Sequence, residues 1–215
     1  MSKNNVKKIM IGFVGILIIA YSVVMQIKAG FGLDSLNALY GNLSIVTGRT
    51  FGFFSICLGF IFILINHFTS KKRFNWTALL VAFFIGTGVD QFNQIFAHSM
   101  NFESWSARIS LFLYALILYG IGIALLIYSG MPSPLEELQF AMQKLTNQSV
   151  ARAKFYTDLA LFSGALLTSV LTGLGLGQIN VGTIIITIFI GKIIEVSLQL
   201  ISKIEKKNTR VQPQS

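Results

Sequence analysis

The chain has 215 residues, 53% of them hydrophobic and 12% charged, with a mean hydropathy of +0.69. A soluble domain of this length has too little interior to hide so much apolar surface, whereas a bilayer accepts it. A net charge of +9 would suggest nucleic acid in a soluble protein, but the placement of the charges along this chain excludes that partner.

A helix needs about 20 mostly apolar residues to cross the hydrocarbon. Six stretches qualify, at 9–28, 51–67, 76–97, 107–129, 155–172 and 181–201. The first follows Lys3, Lys7 and Lys8, is long and lacks a small-residue cleavage site, so it reads as a span and not as a secretory signal. Gly12 and Gly15 within it, like Gly120 and Gly122 in the fourth span, allow close helix approach.

After the first span comes "AGFGLDSLNAL", Ala29 to Leu39. Asp34 is a capping residue here, and Leu36, Leu39 and Leu43 form an apolar stripe over a short amphipathic helix. Cys57, the single cysteine, lies in the second span and suits a small apolar residue; one cysteine allows no internal disulfide. The third span carries "FIGTGVDQ", Phe84 to Gln91. The fourth is followed by "SGMPSPLEEL", Ser129 to Leu138, where Ser133 caps, Pro134 takes the first helical position and Glu136 completes a capping box. Both short helices are too short and too polar to span. They lie at the interface or fold back between the spans, and their N-termini, rich in free N–H groups, would favour an anionic substrate group. The last span carries "FIGKIIEV", Phe189 to Val196.

The second half of this series repeats the first. Phe, Ile and Gly of the two "FIG" segments coincide, Asp90 falls opposite Glu195, and Asn75 opposite Asn180. Gly30 matches Gly130; Asp34 and Asn37 face Ser133 and Glu136; Thr47 and Thr50 face Thr146 and Ser149. Each half holds three spans, so the second enters the membrane from the opposite side, and two such halves are expected to relate by a pseudo-two-fold axis in the membrane plane. The expected fold is all-α, a polytopic single membrane domain over 1–215 with repeats at about 9–97 and 107–202 and a basic tail over 203–215.

With the N-terminus inside, the inner segments hold Lys3, Lys7 and Lys8, then Lys71, Lys72 and Arg73, then Lys144, Arg152 and Lys154, then Lys203, Lys206, Lys207 and Arg210. The outer segments hold only Lys28, Arg49 and Arg108. Such asymmetry places both termini in the cytoplasm and assigns the basic excess to orientation and lipid headgroups.

Charged residues inside spans are costly and normally face the bundle interior, paired or in a wet cavity. Lys192 and Glu195 stand three apart on one helical face near the middle of the sixth span; Asp90 and Asp158 also fall in apolar windows. The expectation is a site in which Lys192 bridges Glu195 and Asp90. A buried pair that only fixes helix register is the alternative. Three sharper motifs are refused. "GTGVD" resembles the intramembrane aspartyl protease signature, but Val89 intervenes and turns the carboxylate about 100° around the helix. "GLGLGQ", Gly173 to Gln178, has no preceding strand and no following Lys, so it reads as a turn and not as a phosphate loop. His67 and His98 sit near span ends without a second ligand at metal spacing.

The Gly30-x-Gly32 turn with its capped helix, the second Ser133-Pro134-Leu135-Glu136 segment, "TGRTFG" and "FIGTGVD" together resemble the YczE/YyaS/YitT family of bacterial integral membrane proteins. The resemblance runs from the first span to the sixth. Asn37 and Glu136 stand where that family often has Asp, Leu36 and Leu135 where it has Trp, and Ser35 replaces the first Pro. The resemblance implies a six-span bacterial plasma-membrane protein of the transporter or permease class, without the soluble C-terminal domain of some YitT-like members. It supplies no substrate.

The expected function is passage of a small solute by alternating access, with no cofactor, no catalytic set and no metal, and with protons or cations as coupling ions. The expected binding residues are Asp34, Asn37, Ser133 and Glu136 at the short-helix starts, with Asp90, Lys192 and Glu195 as intramembrane partners. Two rival readings stay open: a membrane-embedded substrate-binding subunit of an ATP-driven importer, and a non-transporting protein that assembles or regulates a membrane partner. A homodimer is compatible with each.

Overall fold

A computed structural model of the chain describes residues 3–71, 73–97 and 102–210. Lys72 and His98 lie outside the described residues, as does the end of the basic tail, 211–215. Among the described residues the fold is eight helices: α1 (Lys3–Ala29), α2 (Ser35–Thr47), α3 (Phe51–Ser70), α4 (Trp76–Ile95), α5 (Trp105–Ser129), α6 (Pro134–Thr146), α7 (Val150–Leu171) and α8 (Val181–Arg210). Helices α1, α3, α5 and α8 are long and apolar enough to cross a membrane. Helices α4 and α7 match them in length, but Asp90, Gln91, Asn93 and Gln94 make the end of α4 polar, and Arg152, Lys154 and Asp158 do the same to the start of α7. The expected six apolar spans are therefore four clear ones and two of mixed character.

Helix α1 is the hub, packing on α5 and α4. Ile16, Ala20, Val23 and Val24 of α1 are buried in the largest core cluster with Val81, Val89 and Leu126. The α1–α5 crossing is close because glycines face each other: a Cβ on Gly15 would stand 2.9 Å from the Gly122 carbonyl oxygen. Gly12 lies against Ser129 at one end of this contact, and the Arg108 Nε–H donates to the Ala29 carbonyl at the other, 2.9 Å. α1 and α5 thus run antiparallel.

The short helices are exchanged between the halves, α2 packing on α7 and α6 on α3, whereas α1 packs on α4 and α5 on α8 within their own halves. The caps hold the short helices in register. Asp34 accepts from the Asn37 N–H, and Ser133 and Glu136 form the full capping box that the sequence predicts. Both short helices fold back into the bundle. Asn37 reaches Tyr119, which stands eleven residues, about 16 Å, along α5 from Arg108. α2 then climbs back, and Asn42 meets Ser169 near the end of α7. In the mirror element, Pro134 lies against Gly59 in the middle of α3, and Lys144 Nζ donates to the Ser70 carbonyl at the end of α3, 3.3 Å. Of the two placements open from sequence, the interior one is observed.

The two long α-helical pairs that close each half differ. α3 and α4 are tightly packed, whereas α7 and α8 are not packed on one another. The turn between α7 and α8 does contain the "GLGLG" run, with left-handed backbone at Gly173, Gly175 and Gly177.

Candidate functional site

The fold-back of α2 and α6 brings their N-termini to one cavity of about 300 Å³. Asp34, Asn37, Ser133 and Glu136, four of the residues expected from sequence, line it together. Apolar side chains of α1, α5 and α8, among them Ile19, Ile123, Ile186 and Ile190, supply most of the wall.

Each polar group is held. Asn37 Nδ2 donates to Asp34 Oδ2 at 2.5 Å and to the Tyr119 hydroxyl at 3.0 Å. Glu136 Oε2 accepts from the Ser133 N–H at 3.0 Å. Across the cavity, Lys154 Nζ pairs with Asp158 Oδ2 at 2.8 Å on α7, and both line the same space. The cavity therefore holds three carboxylates, Asp34, Glu136 and Asp158, against one ammonium, which is already engaged. The helix starts, expected to favour an anion, carry carboxylates of the protein itself. Each accepts one backbone N–H there, Asp34 that of Asn37 and Glu136 that of Ser133. What remains for a ligand is a surplus of carboxyl groups on an apolar wall.

The other three expected residues lie elsewhere. Lys192 and Glu195 form the expected i, i+3 pair at 2.9 Å, but their side chains are 70% and 53% exposed and neither lines the cavity. The reason is rotational. Ile186, Thr187, Ile190 and Ile194 of α8 line the cavity, Ile190 and Ile193 meet Gly120 of α5, and Lys192 falls on the far side of the helix. Asp90 does not meet Lys192 either; its Oδ2 accepts the Gly52 N–H at 3.0 Å and joins α4 to the start of α3.

Sequence reasoning passed over Tyr40, Tyr119 and Lys154 as cavity residues, and Glu137 as a structural one. Glu137 is buried, accepts from Asn66 Nδ2 and from Asn75 Nδ2 at 2.8 Å, and so ties α6 to α3 and to the cap of α4. A signal for Glu137 was available: Asn66 is a polar residue in an otherwise apolar span, and such a group needs a partner.

Long apolar helices wrapped around an interior cavity define the chain as a multi-pass membrane protein. Residues 6–199 match the family of unknown function DUF6198, and the chain belongs to that family. It is similar to the uncharacterized membrane protein YczE of Bacillus subtilis (strain 168), with 28% identity over 191 residues that cover 86% of this chain and 83% of that protein. The YczE part of the resemblance read from the sequence is thereby shown. No solved structure matches the chain.

Proposed function

We propose that the chain is a carrier of a small amphipathic cation, working by alternating access between two inverted three-span repeats, with α4 and α7 completing a six-span bundle. The reading rests on one observation: Asp34 and Glu136, each anchored at the start of a fold-back helix, face one apolar cavity from the two halves of the chain. Fold-back helices from two repeats meeting at mid-depth is the arrangement in which carriers hold solutes. A cavity of about 300 Å³ is at the lower end of small-molecule sites. Its apolar wall suits a hydrocarbon body, and its surplus of carboxylates suits an ammonium or guanidinium head. The same carboxylates, emptied of cation, are sites for a coupling proton.

Placement in a bacterial plasma membrane with both termini cytoplasmic follows from the basic asymmetry. It is supported by Lys144 lying against the end of α3, beside Lys71, so that two separate basic segments share one end of the bundle. A reporter fused after Arg73 is expected to read as cytoplasmic, and an external signal there would overturn this topology.

The test of function is ligand stabilisation followed by flux. Hydrophobic primary amines are expected to raise the unfolding temperature of the detergent-purified protein, and carboxylates of the same carbon skeleton are not. Asp34→Asn with Glu136→Gln should abolish both the shift and uptake into proteoliposomes. Stabilisation by the carboxylates, or amine binding that survives the double change, would refute the site. Stoichiometric co-purification with an ATPase pair would instead favour the importer-subunit reading.

A further inference from the structure

Asp90 and Glu195 are matched in sequence but differ in structure. In the first half, α4 closes on α3 along one ridge. The backbones touch at Gly86 and Gly52, where a Cβ on Gly86 would fall 2.7 Å from the Gly52 Cα. One turn along, Ser55 Oγ donates to the Ala82 carbonyl at 3.0 Å. At the end of the ridge, Asp90 takes the Gly52 N–H. In the second half the corresponding ridge of α8 is Thr187, Gly191 and Glu195, and all three are exposed. A Cβ on Gly191 would meet nothing within 4 Å.

The helix start that this ridge would meet has a counterpart in the first half. α7 starts as α3 does: Ser149 and Thr50 are the two N-caps, each accepting from the N–H three residues on. Counting from the caps, Ala151 is the counterpart of Gly52, and its N–H belongs to the first helical turn, where no intrahelical acceptor exists. Lys154 follows on α7, a cation beside the position a docked Glu195 would take.

We propose that Asp90 and Glu195 are alternating latches. Asp90 on the first turn of α3 holds the α3–α4 side of the cavity shut in the state described here, and Glu195 on the first turn of α7 holds the α7–α8 side shut in the opposite state. Lys192 stands where the first half has Thr87, and it gives Glu195 a partner while it is undocked. Both carboxylates are positioning residues that act through helix docking and do not touch solute. The proposal rests on the carrier reading, since it assigns the two closed forms that alternating access requires.

The test uses disulfide formation in native membranes of the full chain with Cys57→Ser. The pair Ala151→Cys and Gly191→Cys is expected to cross-link, several-fold faster with Asp90→Asn and several-fold slower with Glu195→Gln. The pair Gly120→Cys and Ile193→Cys, on the existing α5–α8 contact, should close at a rate that neither change moves, which reports an intact fold. If Asp90→Asn costs the control pair its cross-link, the Glu195→Gln arm alone decides. Absence of the 151–191 cross-link beside a closing control, or a rate indifferent to the latch changes, overturns the proposal. Loss of the latch with cation flux intact would leave the carrier reading standing; a working latch with no flux of any amine would remove that reading and keep the rearrangement.

Discussion

Between α3 and α4, Gly52 and Gly86 let two backbones touch and Asp90 ties one helix to the start of the other. Between α7 and α8, the matching positions are Ala151, Gly191 and Glu195, and the helices are not packed together. The two regions share the ridge glycine and its acid, differ in the residues that face them, with Ala151 and Lys154 where the first half has Gly52 and Ser55, and have opposite packing. A fold made of two like halves breaks its symmetry when only one of two equivalent closures is made at a time, which is what a cavity with alternate openings needs.

The comparison can be broken in several ways, beginning with the largest expected effect. Glu137→Ala removes the shared acceptor of Asn66 and Asn75 and leaves the buried Asn66 amide and the half-buried Asn75 amide without it. It is expected to destabilise the protein by about 2–4 kcal/mol, read as a lower thermal midpoint in detergent; an unchanged midpoint would mean that α6 is not fastened through this group. Gly86→Leu should cost about 1–3 kcal/mol by forcing α3 and α4 apart, whereas Gly191→Leu, facing open space, should stay within about 0.5 kcal/mol. Equal losses would mean that α7 and α8 are packed in the resting protein. Asn42→Ala, which unties α2 from Ala165, Ser169 and Gln178, should cost about 1–3 kcal/mol. A double-mutant cycle of Lys192→Met and Glu195→Gln should show a coupling above about 1 kcal/mol, because the pair at 2.9 Å lies on a helix apolar enough to cross a membrane, where a charge without its partner is costly; a smaller coupling would mean that the pair stands in water.

The long helices were legible because hydrophobic length is a direct record of the bilayer. Their ends were less so. α1 starts at Lys3, α7 at Val150 and α8 runs to Arg210, each beyond its apolar window, because polar residues continue a helix without contributing to hydropathy. The caps at Asp34 and Ser133 were legible for a local reason: a capping side chain bonds within its own turn. The direction of Lys192 and Glu195 was not. α8 carries isoleucines on both sides, Ile186 and Ile190 inward and Ile184 and Ile188 outward, so no apolar stripe marks its buried face. Glu136 and Glu137 show the same limit at finer scale. They are adjacent, yet about 100° apart around α6, and one meets the cavity while the other meets Asn66. Tyr119 and Lys154 enter the site only through the crossing of helices distant in sequence.

The crossed seating of the short helices bears on how the chain is made. Leu39 of α2 lies against α7, with Asn42 bonded there, and α6 rests on α3. During synthesis α2 must wait, without its seat, until more than a hundred further residues have emerged. The two halves are thus interlocked like clasped fingers: coexpressed as separate fragments they are expected to assemble, and neither should persist alone.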